Sequence, residues 1–336
     1  MNTRFQPHPL LRQAHAQTAL PALLRRTPRI NWQLERLELA DGDFIDIGHL
    51  PPSEPLADAP IALLLHGLGG GLDSTYLCAT ALRLRKRGWH CIGVQQRGAG
   101  PQPNRLARSY NHGASDDIAW LLRQVAQRYP DRRRAAIGWS LGGNVLLKTL
   151  GEMGAEAPLE LAAAVSVPFQ LAPCVDHLQR GAARAYQAYL LRGLKASVRR
   201  KHGPVPLPPG ADLRAALAAD SFRGFDNAYT APCNDYADAE DYYSRAACGQ
   251  YLSGIRVPTR IIHALDDPMM VPEIVPDPSK LPDNVELLVS PRGGHVGFVA
   301  AGQGGVPRMW LEHSLPEWLG ARLRDAPEAA PTRASA

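Results

Sequence analysis

Ser140 stands between Gly138 and Gly142 in the stretch GWSLGGN (138–144), directly after the apolar run AAIG (135–138). A serine hydroxyl is a weak nucleophile until a base takes its proton and a third group orients that base. The G-x-S-x-G spacing, where a strand turns sharply into a helix, is the pattern that exposes such a serine Oγ. The same spacing also suits an ordinary glycine turn, so the chemical reading depends on partners elsewhere in the chain.

The first partner is a histidine, and eleven are present. His90 and His263 fall in strand-like segments, His313 falls on the last helix, and His66 reads as a ligand of its own loop backbone. Only His295, in SPRGGHVGF (290–298), occupies a glycine-rich loop after the final strand. Such a loop carries an imidazole over the carboxyl edge of a sheet. The orienting acid belongs at the end of an intervening strand, where HALDDP (263–268) supplies Asp266 and Asp267. Asp267, which opens the loop beside Pro268, is the preferred triad acid. A shift of one residue in the strand end would exchange it with Asp266, whose other role is a local hydrogen bond. The acid fixes the imidazole tautomer and stabilises the imidazolium formed during attack. The tetrahedral intermediate also needs donors for its oxyanion. Candidates are the backbone N–H of Leu141, at a helix N-terminus, and that of Leu68, in a loop where glycines 69–71 allow close backbone approach. The order Ser, Asp, His along the chain completes the pattern.

Positioning these groups requires a sheet whose strands end together. WQLERLEL (32–39) and FIDIGHL (44–50) flank a hairpin signal, and IALLLHG (61–67) is a continuous apolar run, as in a strand buried on both faces. Helical and strand patterns then alternate: helix from 74 to 87, strand 90–96, helix 115–129, strand 134–138, helix 140–151 and strand 161–168. Residues 169–254 interrupt the alternation with helices and loops. Strands resume at 259–265 and 285–290, and a helix over 308–323 closes the pattern. The fold class predicted is α/β: an open, mostly parallel central sheet with flanking helices and a helical cap insertion. The expected organisation is an N-terminal arm (1–30), a core (31–168 and 255–325), the cap (169–254) and a disordered tail (326–336).

Composition narrows the function classes. The 336 residues are 45% hydrophobic and 21% charged, ordinary for a globular chain, and the net charge of +5 comes from scattered basic residues. Basic residues clustered with aromatics are missing, which argues against nucleic acid as a partner. GLGGGLD (67–73) places Leu72 where a dinucleotide fingerprint needs its third glycine, and no P-loop or H-E-x-x-H occurs. No cofactor and no metal are expected. Five cysteines, odd in number and without a C-x-x-C pair, read as reduced thiols of a cytoplasmic protein. The N-terminus has no apolar h-region, and no run approaches the roughly 18 apolar residues of a membrane span. A peripheral membrane contact stays open, and the oligomeric state is not legible.

With these residues in place the chain resembles the α/β-hydrolase superfamily. Within it the chain is similar to the YheT-type hydrolases, related to eukaryotic abhydrolase-domain proteins and to yeast medium-chain ester synthases/esterases. The resemblance covers nearly the whole chain: HPLLRQAHAQT (8–18), HGLGGG (66–71), RGAGPQPNRLARSYNHG (97–113), GWSLGGN, FDNAYTAP (225–232), DAEDYYSRA (238–246), HALDDP and GGHVGF (293–298). Gln13 stands where the arm usually has Asn, and Asn111 where His is common. The resemblance implies that Ser140, Asp267 and His295 are the triad. It also implies hydrolysis of small-molecule carboxylic esters with short or medium acyl chains, without metal or organic cofactor. Some relatives resemble phospholipases or acyl-CoA:alcohol acyltransferases, which would use the same triad. In the cap, AYQAYLL (185–191) would line an acyl pocket or simply pack. A non-catalytic binding protein on the same fold is the alternative of a different class, and such proteins usually lack a triad member.

Overall fold

A computed structural model describes residues 5–325; the expected tail (326–336) and the first four residues of the arm lie outside the described residues. The arm contributes helix α1 (Ala14–Leu24). Strands β1 (Gln33–Glu38) and β2 (Phe44–Leu50) form the antiparallel hairpin expected around Asp41 and Gly42. Then follow β3 (Ile61–Leu65), α2 (Thr75–Arg85), β4 (His90–Gln95), α3 (Ser115–Arg128), β5 (Arg134–Trp139), α4 (Leu141–Met153) and β6 (Leu161–Val165). Five helices come next: α5 (Leu171–Leu178), α6 (Ala183–Lys201), α7 (Leu213–Ala218), α8 (Phe222–Phe225) and α9 (Ala239–Ala246). The chain finishes with β7 (Thr259–Ala264), β8 (Val285–Ser290), β9 (Val299–Ala301), β10 (Pro307–Met309) and α10 (Leu311–Asp325).

Eight strands form one sheet in the order β1-β2-β4-β3-β5-β6-β7-β8. β2 runs antiparallel to β4, and every pairing from β4 to β8 is parallel. The pleat explains the continuous apolar run at 61–65. Ile61, Leu63 and Leu65 join one apolar layer with Ile118 and Leu121 of α3 and Leu146 of α4. Ala62 and Leu64 point the other way, into a layer with Leu77 and Leu84 of α2 and Leu315 and Leu319 of α10. A strand covered on both faces has no polar side to alternate with.

Helices α5–α9 share a separate apolar cluster that includes Leu178, Leu191, Phe222, Phe225 and Tyr242. Leu68 and Met269, from the loops after β3 and β7, pack against it, so these helices lie over the carboxyl ends of the central strands. All five cysteines are free and buried. No helix among the described residues is long and apolar enough to cross a membrane. The start of the last helix differs from the sequence reading. The helical spacing extends back to 308, but Pro307–Met309 pairs antiparallel with Val299–Ala301 as a short hairpin, and the helix begins at Leu311.

Candidate active site

The elbow at Ser140 follows from the local chain. Ser140 has φ 53° and ψ −119°, a conformation that an L-residue holds only when its surroundings force it. Two hydrogen bonds do so: its N–H donates to the Val165 carbonyl (2.8 Å), and its carbonyl accepts from the Asn144 N–H (3.0 Å). Gly142 is required by close approach, because a Cβ there would lie 2.4 Å from the Leu65 carbonyl oxygen. The first turn of α4 therefore presses directly on the end of β3.

The structure brings Ser140, His295 and Asp267 together. His295 Nε2 lies 3.0 Å from Ser140 Oγ, and His295 Nδ1 lies 2.7 Å from Asp267 Oδ2. Asp267 is buried, and its other oxygen accepts the Met269 N–H (2.9 Å). An ionised carboxylate only accepts hydrogen bonds, so Nδ1 carries the proton and Nε2 presents a lone pair to the serine hydroxyl. Asp266 takes the alternative role, a local hydrogen bond, accepting the Gly294 N–H (2.9 Å) one residue before His295. Burial pushes its carboxyl above the usual range.

The two backbone donors are also placed. The Gly67 N–H donates to the Tyr76 hydroxyl and the Gly69 N–H to the Tyr110 hydroxyl, 2.8 and 2.9 Å away. Among the described residues the Leu68 N–H between them has no acceptor, nor does that of Leu141. Leu68, Ser140, Leu141 and His295 all line one cavity of about 540 Å³. His66 is not a second base. It is fully buried, with Nδ1 2.8 Å from the Gly67 carbonyl and Nε2 accepting the Gln96 N–H (3.3 Å), and burial pulls its pKa down to about 4.

Residues 60–301 match the family model for the alpha/beta hydrolase fold. The chain belongs to the α/β-hydrolase fold family. YheT of Escherichia coli (strain K12), named as a candidate esterase, is 38% identical over 95% of this chain and 93% of its own. Phospholipase ABHD3 of Mus musculus is 28% identical over 85% of this chain and 71% of its own. Monoacylglycerol lipase of Saccharomyces cerevisiae is 29% identical over 77% of this chain and 59% of its own. Among solved structures, the Pyrococcus furiosus esterase Pf2001 superposes with TM-score 0.54 at 16% identity, covering 89% of this chain and 94% of that one.

Other residues of this α/β hydrolase act on the His295 loop from far away in sequence. Thr18 Oγ1 accepts the His295 N–H (2.9 Å), and Ser166 Oγ accepts the Val296 N–H (3.0 Å). The fully buried Gln17 side chain accepts the Val299 N–H (2.6 Å) and donates to the Val299 carbonyl (3.0 Å). The N-terminal arm is thus a clamp on the loop that carries the imidazole. Asn111, one of the departures from the family pattern, lines the cavity and closes its own turn, donating to the Ser109 carbonyl and accepting the Gly113 N–H.

Buried histidines make stability depend on pH. Burial holds His66, His112 and His263 down at about 4, so they stay neutral in the fold. Unfolded, they take up protons near their ordinary value of about 6.5. Between those values the unfolded chain binds more protons, so stability is lost as pH falls from 6.5 toward 4. Asp226, raised to about 6, and Asp266 and Glu312, also raised by burial, oppose this, while His90 and His313, held down at about 4 as well, reinforce it. The urea midpoint is expected to fall steadily from pH 7 to pH 4.5; a flat or rising profile would contradict the neutral state of the three rings.

Proposed function

We propose that Ser140, His295 and Asp267 form the catalytic triad of a serine hydrolase that cleaves carboxylic esters through an acyl-enzyme. The observation that carries this is His295 bridging Ser140 Oγ at 3.0 Å and Asp267 Oδ2 at 2.7 Å. In this reading Oγ attacks the ester carbonyl as its proton passes to His295 Nε2. The N–H groups of Leu68 and Leu141 hold the developing oxyanion. His295 then protonates the leaving alkoxide, and the acyl group remains on Ser140. Water attacks that carbonyl with His295 again as base, and release of the acid restores the serine.

Short- and medium-chain acyl groups are the substrate class we infer. The lining of the cavity of about 540 Å³ includes Leu171, Val175, Leu178, Leu194 and Met270, side chains suited to an alkyl chain. Residues 169–254 then act as the cap that selects the acyl group, with Leu190 and Leu194 of α6 in the lining. One relative is named for medium-chain ethyl esters, which supports this class, and others are named as a monoacylglycerol lipase and a phospholipase, which supports lipid esters more broadly. Water is the acceptor we favour over an alcohol. Of the basic residues at 195–202, Lys201 is withdrawn from any cradle for acyl-CoA, its Nζ donating to the Ala107 and Arg108 carbonyls and Ser109 Oγ.

A fluorophosphonate probe is expected to label the folded protein at Ser140, and Ser140→Ala to remove both the label and hydrolysis of p-nitrophenyl esters. With a medium-chain ester and modest ethanol, free acid should exceed ethyl ester. Labelling at another residue, or none, would remove the enzymatic reading. Ethyl ester formed well beyond the alcohol-to-water ratio would replace hydrolysis with acyl transfer.

A further inference from the structure

His112 lines the cavity beside Ser140 and has no part in the steps above. It lies between β4 and α3, and its carbonyl accepts from Asn144 Nδ2 (2.8 Å). Asn144 is one turn of α4 beyond Ser140, and its N–H already holds the Ser140 carbonyl. His112 is therefore anchored next to the nucleophile by the same helix that carries it.

A neighbouring phenol fixes its tautomer. The Tyr242 hydroxyl, buried on α9, lies 3.1 Å from the His112 backbone nitrogen and 2.9 Å from His112 Nδ1. The backbone N–H can only donate, so it occupies one lone pair of the phenol oxygen. The phenol proton then has a single acceptor among the described residues, His112 Nδ1. A proton on Nδ1 instead would leave the buried hydroxyl without an acceptor, an unfavourable state for a desolvated donor. The ring is accordingly the Nε2–H tautomer, and burial keeps it neutral near pH 7. Among the described residues Nε2 has no partner. It is a neutral donor in the wall of a cavity that is otherwise largely apolar.

We propose that His112 Nε2–H donates to an oxygen in the alcohol portion of the substrate, so that the site prefers oxygenated alcohols over plain alkyl ones. The assignment to the alcohol portion follows from the lining. The leucines and methionine from α5, α6 and the loop after β7 suit an alkyl acyl chain, whereas His112 follows Asn111 and bonds Tyr242, next to Tyr243, whose hydroxyl donates to Asp226, which also accepts from Thr230 Oγ1; these polar residues line the same cavity. A substrate that supplies an acceptor satisfies the donor; an alkyl alcohol leaves it desolvated and unpaired. The proposal deepens the ester-hydrolase reading and rests on it for the class of substrate.

Two isosteric esters test it: 2-methoxyethyl octanoate and n-butyl octanoate, which differ by one oxygen in place of one methylene. Wild-type protein should favour the methoxyethyl ester by about fivefold or more in kcat/KM, chiefly through KM, the effect of one hydrogen bond. His112→Phe should bring the ratio of the two esters to about one, and His112→Gln, which keeps a donor, should retain part of the preference. Calorimetry on Ser140→Ala protein reads the same ratio as Kd without turnover, so the hydrolytic reading can fail while the binding preference stands. A ratio of one in the wild type would overturn the proposal. So would a His112→Phe protein that loses activity on both esters equally, because His112 would then be supporting the oxyanion loop or the fold.

Discussion

Asp267→Asn should lower kcat by about 10⁴ while leaving the fold intact, the size of effect that a wrong imidazole tautomer produces in a serine triad. The carboxylate serves two donors, the His295 Nδ1–H and the Met269 N–H. An asparagine has one carbonyl oxygen, and the fixed backbone N–H of Met269 retains it. The amide nitrogen then faces His295 and donates to Nδ1, which places the ring proton on Nε2, where it can no longer accept from Ser140. Asp266→Asn is the matched control. Asp266 accepts one backbone bond from Gly294, and an asparagine oxygen can still accept it, so the loss should stay within about tenfold. Steady-state kinetics on a p-nitrophenyl ester, with thermal unfolding of both variants, decide the matter. A larger loss at Asp266 would mean that the observed Asp267–His295 contact is not the productive one.

The residues proposed for the chemistry were legible because each is announced by its own neighbours. Ser140 has a buried strand before it, a helix after it and glycines two residues away on either side; His295 and Asp267 follow strands. Asp267 was preferred to Asp266 for its place beside Pro268, and the two separate in the structure because Asp267 meets His295 Nδ1 whereas Asp266 accepts the Gly294 N–H. The parallel sheet was legible for a related reason: runs such as Ile61–Leu65 are apolar on both faces. What lay beyond reach were contacts between distant segments. Thr18 and His295 are 277 residues apart, and nothing in HPLLRQAHAQT states that its glutamine and threonine hold a loop near the other end of the chain. The same holds for β10. Its residues Arg308 and Met309 fit the helical spacing of α10, and only pairing with β9 draws them into a strand, across a turn in which Gly304 and Gly305 have positive φ.

That distant clamp leads to the second large effect, at Gly297. A Cβ on Gly297 would stand 1.9 Å from the Gln17 carbonyl oxygen, and the obstacle is helix backbone, which cannot rotate aside as a side chain would. Gly294 meets the same helix, with Thr18 Oγ1 2.6 Å from where its Cβ would be. The loop and α1 are thus in backbone contact on both sides of His295. Gly297→Ala must separate them by on the order of an ångström, and the Thr18 and Gln17 hydrogen bonds that set the height of the loop go with the separation. Misplacing a catalytic group by about that distance costs roughly 10²-fold in rate. The expected result is a kcat lowered about 10²-fold with KM little changed, and a matching slowdown of fluorophosphonate labelling at Ser140. The sheet should stay folded, because the two apolar layers on its faces owe little to this contact. Gly203→Ala, where an added Cβ meets nothing within 4 Å, should behave as wild type. Thr18→Val offers a gentler version, removing only the acceptor for the His295 N–H, and should fall between the two. Wild-type turnover in Gly297→Ala would mean that the arm yields without moving His295, and that the imidazole is held by Asp267 and Ser166 alone.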